Sequence, residues 1–162
     1  MTEIVRIGDP VPDIPVQTIE DNAIRDISVA RLAQNGRLVL FAVPGAFTPA
    51  CSARHLPGFI EAADAFKAKG VDTLACIATN DAFVMAAWGA ANGVGNRILL
   101  LGDGNGGFTR GMGLATDARR FGMGERSHRY AMVAAQGRVT HLFVDEPGAF
   151  EVSAASYVLA HL

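Results

Sequence analysis

The chain has 162 residues, half of them hydrophobic, and a formal net charge of -2 at pH 7. This size is enough to bury one core, so a single domain over residues 1–162 is expected. The charge argues against a general attraction to nucleic acid or anionic lipid, and no apolar stretch approaches the roughly 20 residues of a membrane span. Residues 1–14 lack the basic start and apolar centre of a signal peptide, which predicts a soluble cytoplasmic protein.

The first half of the chain predicts alternating strands and helices. Residues 1–35 contain three prolines and several Asp and Asn turn residues, so we expect an irregular entry with short strands. Residues 38–43 (LVLFAV) form an apolar run typical of a strand covered on both faces, and Pro44 with Gly45 ends it. Residues 51–69 carry apolar side chains at helical spacing.

The same alternation continues through the middle of the chain. Residues 71–79 predict a second buried strand, and Asn80 with Asp81 predicts the start of a helix over residues 82–91. Residues 97–101 (RILLL) predict a third strand. The glycine-rich residues 103–125 predict at most short helical pieces.

The last third predicts a hairpin and a terminal helix. Residues 129–135 and 139–144 are β-rich and flank a Gln-Gly-Arg turn, and a helix is expected from Ser153 to Leu162. A βαβα order followed by a hairpin and a helix indicates an α/β, three-layer α/β/α domain. Its mixed central sheet and N-terminal strand extension resemble the thioredoxin-like fold.

The two cysteines, Cys51 and Cys76, are too few for a disulfide framework, and no Cys-x-x-Cys or Cys/His spacing suggests structural zinc. The four histidines are scattered. We therefore expect neither a metal nor a cofactor. In a reducing compartment a thiol is either inert or kept for its chemistry.

Cys51 is predicted to lie in the first turn of a helix that directly follows a central strand, within the stretch PGAFTPAC. The unpaired N–H groups and the dipole of a helix start favour thiolate over thiol. Thr48 precedes it by three residues, where its hydroxyl could donate to a thiolate or a bound oxygen, and Pro44 and Pro49 stiffen the loop. The alternative is an inert buried cysteine beside ordinary helix-start residues.

The stretch PGAFTPAC fits the peroxiredoxin pattern of proline, threonine and peroxidatic cysteine, with Pro44, Thr48 and Cys51 in those places. The later stretches CIATNDAFVMAAWG, LLGDGNGGFTRGMGL and RYAMV occur in the family's order. Over nearly its whole length the chain resembles the type II (type V, atypical) peroxiredoxins.

This resemblance implies a peroxidase that reduces H2O2 and alkyl hydroperoxides. Cys51 would attack the distal peroxide oxygen and become a sulfenic acid. Thr48 would supply a hydroxyl, Arg129 a guanidinium for thiolate and peroxide, and Pro44 a shield against solvent. From the residues alone, Arg129 would be a solvated charge at the start of a strand.

Ligand-binding residues are also expected. Phe47 and Phe121 would form an apolar wall for alkyl peroxides, or else be core aromatic residues. Arg126, with Arg119, Arg120 and Arg129, would attract the carboxylates of glutathione, or else form a solvated basic loop.

Recycling of Cys51 is expected to need an external thiol. Atypical two-cysteine peroxiredoxins carry a resolving cysteine near the start of the C-terminal helix, and residues 151–162 contain none. The chain therefore resembles the one-cysteine variant, with glutathione and glutaredoxin favoured as reductant and thioredoxin possible. Cys76, between apolar residues of a predicted strand, is expected to be a packing residue.

Two other functions stay open from the sequence. One is a non-catalytic thioredoxin-fold redox sensor or interaction module, and the other is a glutathione-dependent disulfide oxidoreductase, which the absence of Cys-x-x-Cys disfavours. The family also implies a homodimer formed near the active site. Asp81, Phe83 and Trp88 would contribute to it, or else be cap and core residues of one chain.

Overall fold

The computed structural model describes residues 3–162, and for Cys51 it describes the backbone alone. The N-terminal extension forms a hairpin of two antiparallel strands, β1 (Pro15–Glu20) and β2 (Ala23–Ser28). A short helix that the sequence did not predict follows, α1 (Val29–Gln34). The Ser28 hydroxyl caps it by accepting the N–H of Arg31 at 3.2 Å.

Three parallel strands form the centre of the sheet, as predicted: β3 (Leu38–Ala42), β4 (Thr73–Ala78) and β5 (Leu99–Gly102). Every residue of β3 is buried, because layers of helix cover both faces of the sheet. β4 lies between β3 and β5, and Cys76 on β4 is 0% exposed. Cys76 therefore occupies the core, as its apolar neighbours indicated.

The helices lie in two layers. On one face, α2 (Leu56–Ala68) and α3 (Ala82–Ala91) bury Phe59, Phe66, Met85 and Trp88 against the sheet. On the other face lie α1 and α4 (Gly107–Gly111). This is the predicted three-layer α/β/α arrangement.

The glycine-rich stretch also contains two short strands that the sequence did not predict. β6 (Ala115–Asp117) pairs with β7 (Glu125–Ser127), and a 3-10 turn (Arg119–Phe121) lies between them. Each strand has three residues, too few to show an alternating pattern.

The antiparallel half of the sheet and the terminal helix confirm the prediction. β8 (Tyr130–Ala135) runs antiparallel to β3 and forms a hairpin with β9 (Arg138–Val144). Positive φ angles at Gln136 (55°) and Gly137 (77°) turn this hairpin tightly. The strand order is β2-β1-β5-β4-β3-β8-β9. The last helix is α5 (Ala155–Ala160), which packs on the same face as α2.

Two of the three residues expected at a dimer interface have structural roles inside the chain. Trp88 is 0% exposed, and its indole N–H donates to the Ser52 hydroxyl at 2.9 Å, so its proposed place in an interface is wrong. The Asp81 carboxylate caps α3 by accepting the N–H of Val84 at 2.8 Å. Phe83 is 66% exposed. Within residues 3–162, no helix is both long and apolar enough to cross a bilayer.

Candidate active site

The loop after β3 is held against two other parts of the chain. The N–H of Ala46 donates to the Asn80 side-chain oxygen at 2.9 Å. A side chain at Gly45 would come within 3.0 Å of the Arg126 guanidinium, so only glycine fits here without displacement. Phe47 adopts a left-handed backbone (φ 64°), a conformation that costs a non-glycine residue about 1–2 kcal/mol.

The helical segment that follows this loop begins at Pro49, and Cys51 lies in its first turn, as predicted. Residues Cys51–His55 form a wide π turn that continues into α2 at Leu56. The N–H of Ser52 donates to the Thr48 carbonyl at 3.0 Å, which joins the loop to the turn. The sequence predicted a helix start but not the wider turn, which is a form that often occurs at functional sites. The Cys51 side chain lies outside the described part of the chain.

Thr48 has a different hydrogen bond from the one expected. Its hydroxyl donates to the Gly45 carbonyl at 2.7 Å. Because a hydroxyl carries a single proton, Thr48 in this arrangement offers an acceptor oxygen rather than a donor. The predicted donation to a thiolate involves the Cys51 side chain, which lies outside the described part of the chain, and donation to it or to a bound oxygen would need the Thr48 hydroxyl to rotate away from Gly45.

Arg129 is oriented by a histidine that the sequence analysis did not select. Nη1 of Arg129 donates to Nδ1 of His55 at 2.8 Å. Nε2 of His55 lies 3.0 Å from the Ser153 carbonyl, which can only accept, so Nε2 carries the ring proton and Nδ1 is the acceptor. The available signal was the position of His55, four residues after Cys51 and therefore one helical turn away.

Burial keeps His55 neutral. The ring is 0% exposed. Burial first, and then the Arg129 charge, lower the pKa of His55 from 6.5 to about 3, although the Ser153 carbonyl and the Asp145 charge act in the opposite direction. A neutral imidazole at physiological pH keeps Nδ1 available as an acceptor for Arg129.

The loop behind His55 is fixed by a buried carboxylate. Asp145 is 4% exposed and accepts the N–H groups of Glu151, Val152 and Ser153 at 3.0, 2.8 and 3.3 Å, together with the Ser153 hydroxyl. Its own N–H donates to the Arg129 carbonyl at 2.9 Å. Asp145 thus orders the carbonyl that orients His55, and it also contacts the Arg129 backbone.

Arg129 and Asp145 border a cleft of about 480 Å³, which we call the Arg129 cleft. Among its lining residues, the predicted site residues are Pro44, Phe121, Arg126 and Arg129. Arg54 and Phe150, which sequence reasoning missed, also line it. Phe47, which is 56% exposed, is not among its lining residues, so the expected wall of two phenylalanines is not formed in this cleft. Phe121 is 66% exposed, so neither phenylalanine is a core residue, which was the alternative interpretation.

Of the four arginines expected to form one basic group, Arg120, Arg126 and Arg129 line this cleft, although each has different contacts. Arg126 donates to the carbonyls of Met123 (2.7 Å) and Pro44 (3.3 Å) and so supports the loop. Arg119 is paired with Asp117 at 2.8 Å and does not line the cleft. Arg120 lies over the Phe121 ring, 4.6 Å from its centroid.

A cysteine in the first turn of a helical segment, reached by a short loop from a buried strand of a thioredoxin-like sheet, has the surroundings of a reactive thiol. The arginine in the adjacent cleft adds a fixed cation. Together with the fold, these features define a thiol oxidoreductase of the thioredoxin-like class.

Comparisons with known proteins give the family. The chain matches the family described as Redoxin over residues 6–159. It is 46% identical over 163 residues to peroxiredoxin-2E-2, chloroplastic, of Oryza sativa subsp. japonica, across 98% of this chain and 72% of that protein. The chain belongs to the peroxiredoxins, and it is a thiol-dependent peroxidase.

Solved structures agree. The crystal structure of reduced Prx3 in complex with H2O2 from Vibrio vulnificus is 45% identical, with a TM-score of 0.94 over 98% of this chain and 99% of that one. The Plasmodium falciparum antioxidant protein, a 1-Cys peroxiredoxin, is 27% identical with a TM-score of 0.88 over 95% and 96%.

Proposed function

We propose that the protein reduces H2O2 and alkyl hydroperoxides with Cys51 as nucleophile and is recycled by an external thiol, glutathione with glutaredoxin being favoured. The observation that carries this proposal is the Arg129 guanidinium, held beside the Cys51 turn by a neutral, buried His55. A fixed cation there favours the thiolate and stabilises the charge that develops on the leaving oxygen.

The proposed reaction has three steps. The Cys51 thiolate attacks the distal oxygen of ROOH, the O–O bond breaks, and RO⁻ leaves and takes up a proton, which yields Cys51 sulfenic acid. One external thiol condenses with the sulfenic acid to form a mixed disulfide and water. A second thiol attacks the mixed disulfide, releasing the thiolate and a disulfide product. Two thiols are oxidised for each hydroperoxide reduced.

The position of Cys76 supports an external resolving thiol. Cys76 is 0% exposed within the central strand β4, where its backbone pairs with Phe41 of β3 and Leu100 of β5. A residue in the middle of a buried sheet cannot move to meet a sulfenic acid on another segment without breaking that pairing. The sequence of residues 151–162 offers no other cysteine. Similarity to a 1-Cys peroxiredoxin is in keeping with this proposal.

Stopped-flow mixing of the reduced protein with H2O2 tests the peroxidase chemistry, with Cys51→Ser as the control. The wild type should consume H2O2 much faster than free cysteine does, and Cys51→Ser should abolish this reaction. A rate equal to that of free cysteine would contradict the peroxidase chemistry and favour the non-catalytic redox sensor. Steady-state assays with glutathione and glutaredoxin, run beside assays with thioredoxin, identify the reductant. Higher kcat/KM with thioredoxin would contradict the favoured one.

We also propose that the protein forms a homodimer and works in the cytoplasm. Phe83, at the start of α3, and Phe47, in the loop that follows β3, are both exposed. A second copy of the chain would cover this apolar surface. A cytoplasmic glutathione pool would supply the reductant. Sedimentation of the wild type and of Phe83→Ser tests the dimer, and cell fractionation tests the location.

A further inference from the structure

The Arg129 cleft is much larger than hydrogen peroxide requires. Its volume is about 480 Å³, whereas a water molecule occupies only about 30 Å³ in the liquid and H2O2 has just one more oxygen. Volumes of about 300–1,000 Å³ are typical of sites for organic ligands. The cleft therefore has room for a hydroperoxide with a substantial organic group.

Both apolar and basic groups line this space. Pro44, Ala50, Met123, Phe121 and Phe150 supply apolar surface. Four arginines line the same cleft: Arg54, Arg120, Arg126 and Arg129. A cleft that offers both apolar surface and guanidinium groups is complementary to a ligand that has an apolar body and an anionic end.

Two of these arginines are held by aromatic rings and keep their donors available. The Arg54 guanidinium lies 5.1 Å from the centroid of Phe150, and that of Arg120 lies 4.6 Å from the centroid of Phe121. Among the described residues, neither forms an ion pair or a side-chain hydrogen bond. Stacking restricts a guanidinium while leaving its edge free to donate.

The carboxylates of the cleft do not balance these charges. Asp145 is saturated by the backbone and hydroxyl of the following loop. Asp117 is paired with Arg119, which holds the pKa of Asp117 at about 2. Glu146 is the remaining carboxylate of the lining set. The cleft thus carries excess positive charge on a chain whose formal net charge is -2.

We propose that this cleft selects organic hydroperoxides that carry a carboxylate, and that Arg54 and Arg120 are its specificity-determining residues. This inference rests on the proposed peroxidase function. The hydroperoxide would lie against Arg129, and the carboxylate would accept from Arg54, which lies over the same Phe150 ring as Arg129, and from Arg120 over Phe121. The reaction is unchanged: the O–O bond breaks, Cys51 gains the distal oxygen, and the carboxylated alcohol leaves after protonation.

Glutathione also carries carboxylates, so the arginines could bind the reductant instead of the hydroperoxide. The experiment must therefore measure the reaction of Cys51 with hydroperoxide separately from the reduction of the sulfenic acid. Pre-reduced protein is mixed with hydroperoxide in the absence of any thiol, and loss of hydroperoxide is followed over a single turnover. The probes are cumene hydroperoxide bearing a para-carboxylate and its methyl ester. The pair shares the reacting group and differs in charge.

The wild-type protein is expected to consume the carboxylate-bearing hydroperoxide faster than its methyl ester. In Arg120→Gln and Arg54→Gln this acid-to-ester ratio should fall by about 10-fold, the value of one charge-assisted hydrogen bond. The control is Arg25→Gln, on strand β2, because Arg25 is paired with Glu20 and neither residue lines the cleft. Its ratio should equal that of the wild type.

The ester provides a reference within each variant, so general damage to the site does not change the ratio. An acid-to-ester ratio near one in the wild type, or a ratio unaffected by both substitutions, would overturn the proposal. An effect seen only in turnover with glutathione, and absent with dithiothreitol, would assign the arginines to the reductant and also overturn it. Failure of the peroxidase function is distinct, because the wild type would then oxidise slowly with every hydroperoxide, H2O2 included.

Discussion

His55 accepts a hydrogen bond from Arg129 at 2.8 Å while its other nitrogen donates to the Ser153 carbonyl, so one buried ring joins the active-site guanidinium to the C-terminal loop. The two hydrogen bonds of His55 go to Arg129 and Ser153 within the described part of the chain. His55 is a positioning residue, since it acts through the orientation of Arg129.

Replacing His55 should therefore reduce catalysis in a way that depends on hydrogen bonding. His55→Leu removes both the acceptor for Arg129 and the donor to Ser153, and kcat/KM for H2O2 should fall by about 10-fold or more, because small errors in orientation are costly. His55→Gln offers an amide oxygen and an amide N–H and should recover most of the loss. Equal activity in the two variants, with both folded by circular dichroism, would show that only packing matters.

His55 should also make stability depend on pH. Its folded-state pKa of about 3 lies below the ordinary 6.5, so between these values the unfolded chain binds more protons. The free energy of unfolding should fall as the pH falls from about 6.5 towards 3, by up to about 1.4 kcal/mol per pH unit from this group.

Urea denaturation at several pH values, with His55→Gln as the control, isolates this contribution. Groups that titrate in both proteins cancel in the difference, including His141, whose pKa is also lowered by burial. The groups that face His55 are Arg129, Asp145 and the Ser153 carbonyl. Parallel stability curves for the two proteins would refute the assignment.

Tyr130 allows the effect of an unsatisfied buried hydroxyl on stability to be measured. The side chain is 0% exposed, and its hydroxyl has no hydrogen-bond partner in the described part of the chain. Burial raises its pKa, so it stays protonated. Tyr130→Phe removes the desolvated oxygen with little change in shape and should stabilise the protein by about 1 kcal/mol in thermal or chemical denaturation. A loss of stability would instead indicate a water molecule bound to the hydroxyl.

Cys76→Ala tests whether recycling is intermolecular. The substitution should leave peroxide turnover with glutathione and glutaredoxin largely unchanged, since Cys76 is 0% exposed and lies in the middle of the sheet. Mass spectrometry after one equivalent of H2O2 and then glutathione should show Cys51 as a glutathione mixed disulfide in both proteins. A disulfide between Cys51 and Cys76 in the wild type, together with lost turnover in the variant, would contradict this prediction.

Much of the fold could be predicted because the central strands are continuous apolar runs, and the helices between them carry apolar residues at regular helical spacing. LVLFAV is buried on both faces, and one face of the sequence after Cys51 is apolar, so pattern and structure agree. Helix α1 and strands β6 and β7 were missed because three to six residues contain too little periodicity.

The candidate site was predicted only in part. Pro44, Thr48, Cys51 and Arg129 came from a local motif and a family resemblance, whereas His55 and Phe150 act through tertiary contacts. The Arg129–His55 bond spans 74 positions along the chain. Nothing in the spacing of CSARH shows which distant arginine the histidine will meet, or that burial will keep its ring neutral.

The Asp145 carboxylate connects the C-terminal segment of the chain to the candidate active site. It orders the loop whose carbonyl fixes His55, and His55 in turn fixes Arg129. Proteolytic cleavage within residues 146–148, where the side chains are exposed, would leave the cysteine and its motif intact. After such a nick only the hydrogen bonds of Asp145 and the packing of α5 would hold residues 149–162 in place, so the orientation of Arg129 would depend on a segment no longer joined to it by the chain.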